Sequence, residues 1–225
     1  MTVETWFGKK PDNSAEQQVL IELYDFLASQ AEHYVIMANF HCGAGPETDL
    51  MVLKQKGFFI AELKRAPDKL IGGKNGESWT FIRADGSQGQ MRNPYLQVRN
   101  CCFKWKEWIR DHKEAIERVA GRKHDLREFE PSEYILVYPD SNPDNQVDIG
   151  DFPVQLMGLR TFQVALTVKT QRGADFTRAE MQAIPKKLNL MPLMPADRTV
   201  PLNAAAQPVR VLRKHGLQGV NIGSG

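Results

Sequence analysis

Three charged residues interrupt the apolar runs of the segment TDLMVLKQKGFFIAELK, residues 48–64. They are Asp49 in the first run and Glu62 and Lys64 in the second. Carboxylate oxygens are hard ligands for Mg²⁺, and a nearby ammonium group can neutralise negative charge that develops on a phosphate. An Asp followed by an acid-x-Lys therefore indicates a metal-dependent phosphodiesterase, with an ordinary ion pair in a surface hairpin as the alternative interpretation.

The two apolar runs predict antiparallel strands joined by a short polar turn. Alternate residues of a strand share a face, so Glu62 and Lys64 are expected on one face, about 6–7 Å apart. If Lys56 and Gly57 alone form the turn, Asp49 pairs with Lys64 and all three charges converge. A three-residue turn without a bulge would send Asp49 to the opposite face. The site therefore requires the turn of even length, or a bulge with the same effect.

Two helices are expected to add polar residues to this site. Residues 14–30 predict a helix in which Glu16 lies at the centre of the apolar stripe, although an acid in a first turn also interacts favourably with the helix dipole. A second helix opens at Asn93, with Pro94 in its first turn, and places Gln97 on its apolar face. An inward glutamine needs hydrogen-bond partners, which backbone groups or a functional site can supply.

The order of these elements resembles the NERD (nuclease-related) domain of the PD-(D/E)xK nuclease superfamily, which has a restriction-endonuclease-like fold. The matching text is AEQQVLIEL, ETDLMVLKQKGFFIAELK, SWTFIRADG and NPYLQ. The sequence departs from the family at Ala15, where glycine is common, and at LKRA, where members often read VKNW. The resemblance implies these catalytic residues: Glu16, Asp49, Glu62, Lys64 and Gln97.

The resemblance further implies Mg²⁺- or Mn²⁺-dependent hydrolysis of nucleic-acid phosphodiester bonds, with DNA the favoured substrate. Asp49, Glu62 and the backbone carbonyl of Leu63 would hold the metal ion. Lys64 would activate water or stabilise the transition state, and Gln97 with Glu16 would position the reacting groups. Four basic residues are expected to contact nucleic acid phosphates: Arg65, Arg92, Arg99 and Lys104.

A catalytically inactive binding or docking module is the alternative function, because nuclease folds are reused without activity. The chain has 29 Lys and Arg against 27 Asp and Glu, and this net charge of +2 does not by itself indicate a nucleic-acid binder. NERD domains are often fused to kinases or helicases, which implies a fused domain and a defence or repair role here. The cysteines Cys42, Cys101 and Cys102 show no disulfide or zinc pattern and are expected to be buried thiols.

The fold class expected is α/β, a restriction-endonuclease-like central mixed sheet flanked by helices. Its strands are expected at 33–39, within 48–64, at 134–138 and at 161–168, beside a smaller hairpin at 79–91. Residues 1–190 would form the nuclease-like domain, and the Pro- and Ala-rich residues 191–225 a linker or tail that leads to a missing domain. Neither a signal peptide nor a membrane-spanning apolar run is recognisable, so a cytoplasmic location is expected.

Overall fold

The structure is a computed structural model that describes residues 3–11, 14–65, 69–150 and 153–193. This part of the chain forms two sheets with helices packed on both faces of the larger one, so the predicted α/β class with a mixed sheet is confirmed. Its α-helices are α1 (Ser14–Ala28), α2 (Pro94–Ala120), α3 (Leu159–Val168) and α4 (Arg178–Lys187). Residues 194–225, most of the predicted linker or tail, lie outside the described residues.

The larger sheet mixes parallel and antiparallel strands. Its strands are β1 (Val3–Phe7), β2 (Tyr34–His41), β3 (Glu47–Lys54), β4 (Gly57–Arg65), β8 (Ser132–Tyr138), β10 (Val154–Gly158) and β11 (Met191–Pro192). Their order across the sheet is β10-β8-β4-β3-β2-β1-β11. The central meander β2-β3-β4 is antiparallel, whereas β8 runs parallel to β4 and β1 runs parallel to β2. This arrangement makes β4 an interior strand.

Both faces of the larger sheet are buried, as the apolar composition of β4 predicts. One face packs against α2, and we call its apolar cluster the α2-side core; it includes Met37, Phe40, Met51, Phe58, Ile60 and Trp105. The other face packs against α1 and α3, and we call its cluster the α1-side core; it includes Leu23, Ala38, Leu50, Phe59, Ala61 and Phe162. Alternate residues of β4 therefore enter opposite cores, which fixes the direction of each side chain that follows.

The second helix begins as its sequence predicts. The Asn93 side chain accepts a hydrogen bond from the Tyr95 backbone N–H at 2.9 Å, and Pro94 occupies the first turn. The helix then runs without interruption to Ala120, where Gly121 ends it in a left-handed conformation with φ of 68°. None of the described helices combines the length and the apolar character needed to span a bilayer.

The predicted strand at 161–168 is wrong, because these residues belong to α3. The β-branched residues of TFQVALTV favour a strand, but the buried positions Leu159, Phe162 and Leu166 follow a helical spacing of three and four. The strand that lies beside β8 at the edge of the sheet is β10, which pairs with it in parallel. Packing against the sheet therefore overrides the local β propensity.

A smaller sheet lies beside the strand end that carries Lys64. It contains β5 (Lys69–Gly73), β6 (Ser78–Ile82), β7 (Gln88–Arg92) and β9 (Gln146–Asp148), in the order β7-β6-β5-β9. The predicted hairpin at 79–91 is confirmed as β6-β7. In β5, a side chain at Gly72 would lie 2.3 Å from the Trp79 indole. This glycine is needed for strand packing.

Candidate functional site

The register of β3 and β4 places Asp49 opposite Glu62. Lys54 pairs with Gly57 and Leu50 pairs with Ala61, so the turn consists of Gln55 and Lys56, and the next position brings Asp49 and Glu62 together. The predicted pairing of Asp49 with Lys64 is therefore wrong by two residues. The turn still has the even length that the site requires, and a shift of two residues leaves every side chain on its expected face.

Three side chains make direct contacts at this end of the hairpin. The backbone N–H of Leu63 donates to Asp49 Oδ2 at 2.8 Å. Lys64 Nζ donates to Glu62 Oε1 at 2.7 Å. Glu62 is 3% exposed, so this ion pair is largely shielded from water on the carboxylate side. Two acids and one amine therefore meet at this point of the hairpin. We call Asp49 and Glu62 the acid pair.

The acid pair is electrostatically strained. Burial raises the pKa of Asp49, and the neighbouring Glu62 and then Glu16 raise it further, to about 8. Burial also raises the pKa of Glu62, although Lys64 and Arg92 partly offset this effect. Desolvation and mutual repulsion both disfavour two ionised carboxylates at close range. A bound cation would relieve this excess of negative charge.

Glu16 approaches the acid pair from the start of α1. It is half-buried, and its charge contributes to the raised pKa of Asp49. The side-chain amide of Asn39 donates to Glu16 Oε2 at 3.2 Å. Asn39 is not predicted from the sequence, where its signal is an asparagine inside the mostly apolar strand YVIMANFH.

Gln97 lies in the first turns of α2, on the helical face that also carries the buried Cys101 and Trp105. Its Oε1 atom is buried and has no hydrogen-bond partner among the described residues. A buried acceptor of this kind needs a donor, which water or a ligand can supply. Cys42, Cys101 and Cys102 are buried free thiols, as expected from the sequence.

The four basic residues expected at the nucleic-acid interface occupy different settings. Arg65 and Arg92 are exposed at the ends of β4 and β7. Arg99 donates to the buried Glu133 at 2.6 Å, and its guanidinium lies 4.8 Å from the ring of Phe103. Lys104 pairs with an exposed glutamate one helical turn away. Arg92 is the one of the four whose charge acts directly on the acid pair, by lowering the pKa of Glu62.

The acid pair fits a hard divalent cation. Mg²⁺ is commonly held by one or two carboxylates and keeps several waters, so Asp49 and Glu62 would suffice as side-chain ligands. Within the described ranges, no three His, Cys, Asp or Glu side chains gather as a metal-binding group. The remaining coordination positions would therefore belong to the Leu63 carbonyl, water and substrate.

A mixed sheet flanked by helices, with an acid pair and a lysine at adjacent strand ends, is consistent with a nuclease-like α/β domain. The family model described as nuclease-related domain, NERD, matches residues 11–139, more than half of the 225 residues. The chain belongs to this family, which confirms the resemblance and indicates a nuclease-related function that involves nucleic acid. Searches of the curated proteins and of the solved structures gave no match.

Proposed function

We propose that this protein is a Mg²⁺- or Mn²⁺-dependent nuclease that hydrolyses phosphodiester bonds, with DNA as its substrate. The observation that carries the proposal is the convergence of Asp49 and Glu62, two carboxyls with raised pKa values, beside Lys64. Buried carboxyls with strongly perturbed pKa values are typical of functional sites. The match to the nuclease-related domain supports the same chemistry.

In this proposal Lys64 carries the positive charge nearest to the reacting phosphate. The Lys64 ammonium group is held by Glu62 at 2.7 Å and is 20% exposed, so it can also reach a bound substrate. Donors that are already oriented towards developing negative charge stabilise a transition state most effectively. The buried Oε1 of Gln97 would accept a hydrogen bond from the attacking water and so orient it.

Asp49 and Glu62, with the Leu63 carbonyl, would hold the divalent ion. When bound, the ion would polarise the phosphate and lower the pKa of water. Glu16 would position groups from the α1 side of the site. Arg65, Arg92, Arg99 and Lys104 would contact phosphates of the substrate, and Arg92 would do so closest to the reaction because its charge reaches Glu62.

Nicking of supercoiled plasmid tests the proposal directly. The parent chain should nick the plasmid with Mg²⁺ or Mn²⁺ and stop when the ion is chelated. Glu62→Ala should lose this activity, whereas Glu107→Ala, which removes an exposed acid of α2, should retain it. Absence of divalent-dependent nicking by the parent would reject the proposal, as would nicking by Glu62→Ala at the parent rate.

A non-cleaving binding or docking module, which is a nuclease fold without catalysis, is the second candidate. The described side chains form no metal-binding group of three, and this observation favours it. A fused kinase or helicase domain in a defence or repair protein would suit such a module. This candidate predicts nucleic-acid or protein binding without Mn²⁺ affinity, which separates it from the nuclease.

A further inference from the structure

We infer that Asn39 is a positioning residue of this site, which holds the Glu16 carboxylate beside Asp49. The inference rests on the proposed function, since it assigns Asn39 a role in the same centre. Asn39 is 4% exposed and lies in β2, next to the strand that carries Asp49. Its side-chain amide donates to Glu16 Oε2 at 3.2 Å, and this bond joins the central sheet to the start of α1.

The strand register places Asn39 directly across from Asp49. The cross-strand pairs Ala38 with Leu50 and Phe40 with Thr48 flank this position on both sides. Asn39 therefore has Asp49 as its neighbour on the adjacent strand and Glu16 as its side-chain partner. Its side chain thus links β2 to Glu16 at the strand position that faces Asp49.

The backbone of Asn39 departs from a regular strand. Its φ is 49°, in the left-handed region that asparagine tolerates better than most residues with a side chain. In a regular strand Met37 and Phe40 would face opposite sides, yet both belong to the α2-side core. The left-handed residue thus interrupts the alternation at the point where the side-chain amide must turn towards Glu16 on α1.

The two residues that directly follow β1 hold this unusual conformation in place. The N–H of Gly8 donates to the Ala38 carbonyl at 3.1 Å, and the N–H of Lys9 donates to the Asn39 carbonyl at 2.9 Å. A side chain at Gly8 would lie 2.5 Å from the Asn39 carbonyl oxygen, so only glycine permits this approach. Sparsely populated backbone conformations that the surroundings enforce cluster at functional sites.

The variant Asn39→Gly tests the role with the least disturbance, because glycine accepts the left-handed backbone and removes only the side chain. It should lower kcat for plasmid cleavage about 10- to 100-fold and leave KM unchanged, since a carboxylate displaced from the site costs alignment rather than binding. Asn39→Asp keeps the size and the backbone tolerance but replaces the donor by an acid, so its loss should be at least as large.

A double-mutant cycle with Glu16→Gln shows whether Asn39 acts through Glu16. Asn39→Gly in the Glu16→Gln background should cause little further loss of kcat. Parent-like cleavage by Asn39→Gly, or losses that multiply in the double variant, would overturn the inference while leaving the proposed nuclease function intact.

A parent chain without any divalent-dependent cleavage would instead reject the proposed function. The same four chains then decide the inference by thermal unfolding. A fall in Tm for the double variant that is smaller than the sum of the two single shifts would support the Asn39–Glu16 coupling. Fully additive shifts would reject it.

Discussion

Two groups of acids in the described part of the chain have opposite electrostatic states. The acid pair Asp49 and Glu62 has raised pKa values at the end of the hairpin. A second group, which we call the helix-end cluster, joins the end of α2 to the start of α4 through His124, Glu117, Glu128 and Glu180. In this cluster Lys113 and then the His124 backbone N–H lower the pKa of Glu117 to about 2.

Every acid of the helix-end cluster has a partner. The His124 ring is fully buried, with Nδ1 2.8 Å from Glu128 Oε2 and Nε2 in contact with Glu180. Burial alone would raise the pKa of Glu180, but hydrogen bonds from Thr177 and His124 lower it overall. Removal of one partner from such a matched group leaves a buried charge poorly compensated, which destabilises the fold.

The helix-end cluster and the acid pair differ in how well their buried carboxylates are neutralised. The carboxylates of the helix-end cluster pair with His124, Lys113, Lys123 and Arg122. Among the described residues, Lys64 is the cationic side chain that bonds to the acid pair. A site that keeps an unneutralised acid pair sacrifices stability, which is expected where a cation or substrate completes the set of charges.

Removal of the lysine should give the largest effect. Lys64→Ala should lower Mg²⁺-dependent cleavage by at least about 10³-fold, because it deletes the charge closest to the reacting phosphate. Its fold should be intact, which circular dichroism would verify. Lys56→Ala is the matched control, since this exposed lysine lies in the turn of the same hairpin and pairs with Asp175. Cleavage by Lys64→Ala at the control rate would refute the role of Lys64.

The helix-end cluster should respond in stability rather than in activity. His124→Ala removes the ring that links Glu128 and Glu180. This change should cost about 3 kcal/mol, equivalent to a fall of about 6–12 °C in Tm for a domain of this size. His41→Ala, at an exposed histidine, should change Tm little. A loss of cleavage by folded His124→Ala at low temperature would contradict the separation of the two clusters.

The acid pair should show the smallest effect, with the opposite sign. The raised pKa of Asp49 means that the folded state holds a proton that the unfolded state releases, so this carboxyl destabilises the fold as pH rises from about 4 to about 8. Without metal, Asp49→Asn should unfold about 2–4 °C above the parent at pH 8 and at the parent temperature near pH 4.

The exposed Asp85 provides the control for this measurement. Hydrogen bonds from Ser87 lower the pKa of Asp85, so Asp85→Asn should bring no gain at pH 8. Equal Tm values for Asp49→Asn and the parent at pH 8 would show that the acid pair is not strained.

The sequence predicts the central hairpin, the Asn93 cap and the direction of Gln97 because each depends on local periodicity or turn chemistry. It predicts the face of Asp49 but not its partner, because a shift of two residues conserves the pattern of faces. Segment 161–168 misleads because its β-branched residues conceal a helical spacing. Asn39 escapes prediction because its left-handed backbone depends on hydrogen bonds from Gly8 and Lys9, which are distant in sequence.

Binding of Mn²⁺, measured by calorimetry on the folded chain, tests the central claim most directly. The parent should bind an ion at the acid pair, and Asp49→Asn and Glu62→Gln should each bind it at least about 10-fold more weakly, because each removes a charged ligand. Glu107→Ala should bind it as the parent does. No binding by the parent, or equal affinity in Glu62→Gln, would contradict the assignment of a metal-dependent centre to these two carboxylates.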